Sequence, residues 1–248
     1  MEDLITLIKT NDIEKNAEKR GAFFPLTDIY NEGWLLRLAL SKGLVQKQLH
    51  CEQSEKWFSE AQLKSPFLHG KLRETRTHAD AVIGSYRFED KTATGVEIDK
   101  ENFSFFYAIE AKIYAPLSKG ISSCKDYNQA VRYIGCIAKM ACDVDLSDED
   151  FGKLGLFVIT PEKQRNKIKD YLSKESIRNL LTQRITEYKR FPENQTEEFT
   201  KWKNWWIDCN DVFLQNISIE PIDWENIIDD DLSVFYQKCL DYNKKEKH

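Results

Sequence analysis

The sequence contains no Cys-x-x-Cys pair. Its six cysteines, Cys51, Cys124, Cys136, Cys142, Cys209 and Cys239, are scattered, which excludes a zinc ribbon or an iron–sulfur spacing. No apolar run approaches the ~20 residues needed to span a membrane. The opening "MEDLITLIKTNDIEK" carries early acids and no long apolar core, unlike a signal peptide. Repeats and low-complexity tracts are missing as well. These absences read as a soluble, cytoplasmic protein with free thiols in a reducing compartment and no membrane partner. A basic excess is also lacking. The net charge is −5, from 36 Lys and Arg against 41 Asp and Glu. Total charge therefore does not point to nucleic acid, and the distribution of charge carries more information.

What is present suits a folded domain. The chain has 248 residues, 41% hydrophobic and 12% aromatic, enough for a sizeable core. That length fits one large α/β domain, or a domain with an appended helical region. Residues 1–20 are predicted helical and polar. A helix follows, with Thr27 or Asp28 as its cap, an apolar side from Leu35, Leu36, Leu38 and Leu40, and Gly43 at its end. A shorter helix is predicted over 52–63. "HADAVIGSYRF" (78–88) predicts a strand, followed by the turn-rich "EDKTATG". "FSFFYAIEAKIY" (103–114) predicts a central strand, apolar on both faces. Residues 124–142 predict a helix, with Val131, Ile134, Ile137 and Ala138 at helical spacing, and 153–160 a buried strand. Beyond lie helices over 161–190 and around "WKNWW", a short strand in "LQNISIEPIDW", and a last helix. This order argues for a mixed sheet with helices on its faces.

The chemistry concentrates in the central strand. Glu110 and Lys112 lie two residues apart, so a strand points both the same way, with Ala111 on the opposite face. If the preceding strand is its neighbour, Asp80 lies beside Glu110. Two adjacent carboxylates repel, and burying them without a counter-charge is costly. A hard cation such as Mg²⁺ or Mn²⁺ relieves this with one or two carboxylates, retained waters and substrate phosphate oxygens. Lys112 is then placed to neutralise charge developing on a phosphorane-like transition state. These groups form a kit for phosphodiester hydrolysis.

Asp80 followed by Glu110-Ala111-Lys112 resembles the D…(D/E)xK signature of the PD-(D/E)xK nuclease superfamily, and Gln129 with Tyr133 on the next helix resembles the QxxxY motif of its RecB-like branch. Ala79 stands where the signature's name has proline, and the cysteine cluster of the branch's iron–sulfur members is missing. His78, His69 and His50 all precede or flank Asp80, with nothing to choose between them as the branch's upstream histidine. The resemblance covers roughly residues 28–160. It implies an α/β fold of the restriction-endonuclease-like type, a mixed central sheet flanked by helices with a helical C-terminal extension. It further implies metal binding by Asp80 and Glu110, with Glu32 as a third acid. Lys112 would assist the attacking water, and Gln129 and Tyr133 would border the site. The expected activity is a metal-dependent nuclease acting on DNA, in defence, restriction or repair, as a monomer or homodimer. The expected division is a nuclease core over 1–160 and a helical extension over 161–248.

Blander readings stand beside these. Glu110 and Lys112 can be an edge-strand ion pair with heads in water, and Gln129 and Tyr133 an ordinary helix face. The whole can be an inactive nucleic-acid- or protein-binding module on the same fold, or a phosphohydrolase acting on nucleotides. "DVDLSDED" (143–150) lacks the glycine and terminal glutamate of a calcium loop. Trp202, Trp205 and Trp206 sit at core spacing. Residues 161–190 hold nine Lys or Arg against four acids, about +5 locally. They are the best candidate stretch for a phosphate backbone, with Lys119, Lys125 and Arg132 nearer the proposed site.

Overall fold

The computed structural model describes residues 30–74, 77–90, 92–118, 120 and 127–245. The helix expected over 1–20, the caps Thr27 and Asp28, and Lys119, Cys124 and Lys125 lie outside these. In chain order the elements are α1 (Glu32–Ser41), α2 (Leu44–Gln48), β1 (Trp57–Leu63), β2 (Thr77–Gly84), β3 (Tyr86–Phe88), β4 (Gly95–Ile98), β5 (Phe106–Ala111), α3 (Gln129–Asp143), β6 (Leu154–Thr160), α4 (Arg165–Lys169), α5 (Lys174–Tyr188), α6 (Glu197–Asn216), β7 (Ser218–Asp223) and α7 (Asp230–Lys245). Two compact units emerge. One takes the described residues up to Ser54 with those from Trp224 onward, and the other is Glu55–Asp223. The helices expected as an extension beyond residue 160 thus fall, up to Asp223, in the same unit as the sheet.

The sheet is mixed, with seven strands in the order β3-β4-β1-β2-β5-β6-β7. β1 and β5 each pair antiparallel with β2, while β5, β6 and β7 run parallel. α3 makes the crossover from β5 to β6, as a parallel pair requires. Residues 52–63, expected as a helix, contain β1 instead. Ala61 and Leu63 alternate inward there, and pairing along β2 overrides a spacing that also fits a helical turn. Glu60 interrupts the alternation with a left-handed φ of 56°. The strand expected over 78–88 breaks at Gly84, whose φ is +106°. A Cβ at Gly84 would come within 2.4 Å of the Phe105 carbonyl oxygen, so the break needs glycine. The turn after Phe88 joins β3 to β4, a strand not expected from the sequence.

α3 is buried on nearly every side, because it lies between the sheet and the helices α5 and α6. Gly135 admits that neighbour, since a Cβ there would already touch Leu181 at 3.4 Å. Asn128 caps the helix by accepting from the Val131 amide. Phe67 anchors an aromatic cluster, with ring centroids 5.0 Å from Tyr188 and 5.4 Å from Trp202. Trp202 and Trp206 are both buried, as their spacing predicts.

Two buried charge networks tie the helices to the strands. Lys139 pairs with Asp143 and with Glu198 (2.8 Å), and Lys64 reaches the same two acids. Burial alone would raise the Glu198 carboxyl, but the two lysines bring it down to about 2. Arg184 is fully buried. It donates to Glu74 and to the Leu72 carbonyl, and its guanidinium lies 4.9 Å from the Phe67 ring centre.

In the smaller unit, Asn31 caps α1 by accepting from the Trp34 amide. Gly43 follows its C-terminus with φ +70°, the left-handed stop that glycine favours. Lys42 pairs with Asp229 and Asp231 at the start of α7, joining the end of α1 to α7.

Replacing Arg184 by Ala leaves the Glu74 carboxyl buried with the Ser65 hydroxyl as its donor and only the more distant Arg132 charge to balance it. The expected loss is about 3 kcal/mol of stability, read as a lower urea midpoint with an unchanged slope. A loss below ~1 kcal/mol would show that the pair contributes little.

Candidate active site

β2 and β5 are neighbours, and their register, Ala81 against Ile109 and Val82 against Ala108, carries Asp80 opposite Glu110. Asp80 Oδ2 accepts from the Ala111 amide at 2.7 Å. The two strands are not joined by a hairpin, since β3 and β4 intervene in sequence and then pair at the far edge. Glu110 faces the side on which α3 packs, in line with Phe106 and Ala108.

Glu110 is 1% exposed. Its Oε1 accepts from Lys112 Nζ and from Gln129 Nε2, the latter at 2.6 Å, and its Oε2 accepts from the Tyr133 hydroxyl. Gln129 Nε2 also lies 3.3 Å from that hydroxyl, which sits 2.6 Å from the His78 carbonyl oxygen. Tyr133 has one proton to give. It can donate to Glu110 or to His78, so its hydroxyl bridges β5 and β2. Gln129 is fixed from both ends, because its Oε1 accepts from the Ser118 amide at 3.2 Å and its own amide donates to the Ser118 carbonyl at 3.0 Å. Gln129 and Tyr133 share a helix face, as positions four apart must. Lys112 lies just past the end of β5, where its amide donates to the Ile159 carbonyl at 2.8 Å.

The edge-strand reading of the Glu110–Lys112 pair fails on position. β5 has strands on both sides, and the Lys112 side chain is only 14% exposed. Of the six residues singled out in the sequence, the structure brings together Asp80, Glu110, Lys112, Gln129 and Tyr133. Glu32 is the first residue of α1 in the other compact unit, and its expected place in a metal shell rests on the sequence alone. His78 contributes its backbone carbonyl, not its ring. Arg132, next to Tyr133, points its guanidinium toward Thr77 at 3.5 Å.

Burial shifts the acids. It raises the Glu110 carboxyl against the opposing pull of Lys112, Tyr133 and Gln129. Asp80 is pushed up to about 7, first by burial and then by the Glu110 charge, against the Ala111 amide and Lys112. Burial and Glu110 together push the Tyr133 hydroxyl well above its usual value, so it remains a donor. Glu60, opposite Asp80 across β1, adds a further negative field. No sequence pattern marked Glu60, since its proximity follows from the β1–β2 pairing within a segment that read as helix. The small cavity lined by Gln62, Lys64, Glu74, Thr77 and Glu89 includes none of the five convergent residues.

A raised Asp80 has a definite sign for stability. Below an unfolded value near 4 both states hold the proton and the group costs nothing. As pH rises from there to about 7, the unfolded chain ionises first and stability falls. Asp80→Asn should therefore gain stability over the wild type between pH 4 and pH 8, on the order of 3 kcal/mol. Parallel urea titrations at the two pH values check this, and an equal difference at both would contradict the shift. No protein-family model, curated protein or solved structure matches the chain.

Proposed function

We infer that this chain is a metal-dependent nuclease of the PD-(D/E)xK type that hydrolyses phosphodiester bonds, with DNA as its substrate. One observation carries the reading. Asp80 and Glu110 lie side by side on adjacent strands, and Lys112, Gln129 and Tyr133 all contact the second carboxylate. The mixed sheet with helical crossovers agrees with the restriction-endonuclease-like architecture that the motifs imply.

The residues fit a hard divalent cation. Burial first, and then the Glu110 charge, push the Asp80 carboxyl up to about 7, and a cation between the two carboxylates would offset both costs. Among the described residues, no group of three or more His, Cys, Asp and Glu is arranged to hold a metal. The protein would supply two carboxylates, with water and phosphate oxygens completing the shell, a division that suits Mg²⁺ or Mn²⁺. Such an ion, when bound, polarises the phosphate and lowers the pKa of a coordinated water. Lys112, partly exposed at the end of β5, stands ready to hold the attacking water or to balance charge on the pentacovalent phosphorus. Gln129 and Tyr133 fix the orientation of Glu110, so its free lone pairs keep one direction. Asp80 must lose its proton to serve as a ligand, which makes the site work better above pH 7 than below.

A second reading has its own support. Both Glu110 oxygens already accept from protein donors, three in all, as in an inactive binding module whose buried acid merely pins α3. Purified protein with Mn²⁺ should degrade DNA, and Glu110→Gln or Lys112→Ala should lower the rate at least a hundredfold while the chain stays folded by circular dichroism, with a lowered melting temperature because each change breaks a buried pair. Retained activity in either variant would sink these roles, and no cleavage of DNA or RNA by the wild type would favour the module.

Metal affinity offers an independent check. With Asp80 titrating near 7, Mn²⁺ should bind about tenfold more tightly at pH 8 than at pH 6. Calorimetry on the wild type and on Asp80→Asn reads this, the variant being expected to lose both affinity and pH dependence. Equal affinity at the two pH values would exclude Asp80 as a ligand.

A further inference from the structure

β5, β6 and β7 run parallel, so they end at one edge of the sheet. Lys112 follows the end of β5, with its amide on the Ile159 carbonyl of β6. The segment after β6 crosses this edge and is held at three points. Gln164 Nε2 donates to the Ile113 carbonyl at 2.6 Å, one residue past Lys112. Arg165 Nη1 donates to Asp223 Oδ2 at 3.0 Å, at the end of β7. Ile168, one turn on, is buried. The segment is thus tied to the strands on both sides of β6.

From this anchored segment Lys163, Lys167 and Lys169 stand exposed. Among the described residues, none of the three is paired with a carboxylate. The basic residues within α5 behave differently. Arg184 is buried on Glu74, Arg178 pairs with Asp211 at 2.7 Å, and Lys174 donates to the Gln215 carbonyl. Within α5 the positive charge is therefore consumed, while Lys163, Lys167 and Lys169 stay outward-facing after β6, as do Lys189 and Arg190 just past the end of α5, in a chain that is acidic overall. Placing exposed cations on a backbone anchored to the ends of β5 and β7 complements a polyanion that must approach the end of β5.

We propose that Lys163, Lys167 and Lys169 form a phosphate-contacting rail that guides a nucleic-acid strand across the ends of β5 and β6 toward Lys112 and Glu110. This rests on the nuclease reading and adds to it the surface that makes the substrate a polymer. Lys163 lies three residues beyond Thr160, a reach of at most ~11 Å, so the rail begins within a few nucleotides of the scissile phosphate. Its contacts are to backbone phosphates and carry no base readout.

The test uses the full chain with Lys163→Gln, Lys167→Gln and Lys169→Gln combined. All three side chains are exposed, so an unchanged melting temperature is expected. A fluorescein-labelled oligonucleotide is titrated by anisotropy over a range of salt, with Ca²⁺ in place of Mn²⁺. Cleavage of the oligonucleotide and of bis(p-nitrophenyl) phosphate, too small to reach the rail, is measured with Mn²⁺. The variant should bind the oligonucleotide about tenfold more weakly, with a log affinity–log salt slope shallower by about 2, as three lost phosphate contacts on a single strand imply. KM for the oligonucleotide should rise while cleavage of the small diester is unchanged. Equal affinity and slope in variant and wild type overturn the rail, whatever the cleavage result. Displacement of the labelled strand by polyglutamate as readily as by unlabelled DNA also overturns it, in favour of an acidic protein partner. A wild type that binds through the rail but cuts neither substrate leaves the rail standing and defeats the nuclease reading.

Discussion

The Glu110 carboxylate is the group around which the larger unit is arranged. At 1% exposure it has no access to water, and a buried charge left without partners costs several kcal/mol. Its donors come from two separate elements. Lys112 arrives from the same strand two residues on, while Gln129 and Tyr133 arrive from α3. Satisfying one carboxylate therefore sets which face of α3 meets the sheet. Because the Tyr133 hydroxyl also meets the His78 carbonyl, the same interaction joins β2 to β5 through the helix. The apolar side of α3 supplies the driving force for packing, and the polar end supplies its orientation.

The three buried charge networks differ in balance, and the difference separates structure from chemistry. Glu74 meets Arg184, with the Arg132 charge also near, and Asp143 and Glu198 meet Lys64 and Lys139 two to two, with Glu89 adding its field at Lys64. In the candidate site two carboxylates face a single lysine, with Glu60 adding to the excess. In the first two networks every carboxylate has a cation in direct contact. The third leaves the Asp80 carboxyl pushed up to about 7 by burial and by the Glu110 charge, a cost that the proposed divalent cation would relieve. The left-handed Glu60 in the middle of β1 falls at the same place, where strained backbone conformations tend to gather in proteins.

Much of this was legible in the sequence, and the exceptions share a cause. The apolar runs of β5 and β6 and the helical spacing of α3 identify those elements locally, because each is buried and periodic. β1 was not legible, since Trp57, Phe58 and Ala61 also fit a helical turn and only the ladder with β2 decides otherwise. The short β4 depends on its partners in the same way. The basic stretch after β6 was visible as composition, but its separation into consumed and outward charges was not. Arg184 and Lys163 look alike in sequence, and only their surroundings distinguish a buried ion pair from an exposed cation.

By itself the sequence determined the chemical inventory of the site. Period-two alternation puts Glu110 and Lys112 on one face, and four-residue spacing puts Gln129 and Tyr133 on another. Both follow from backbone geometry within one element. What only the tertiary structure decided is that these faces meet, and that Asp80 joins them. Those contacts span strands and a helix that are distant in the chain. They depend on strand register and on the packing of α3, which are set by the whole core and by the need of one buried carboxylate for its donors.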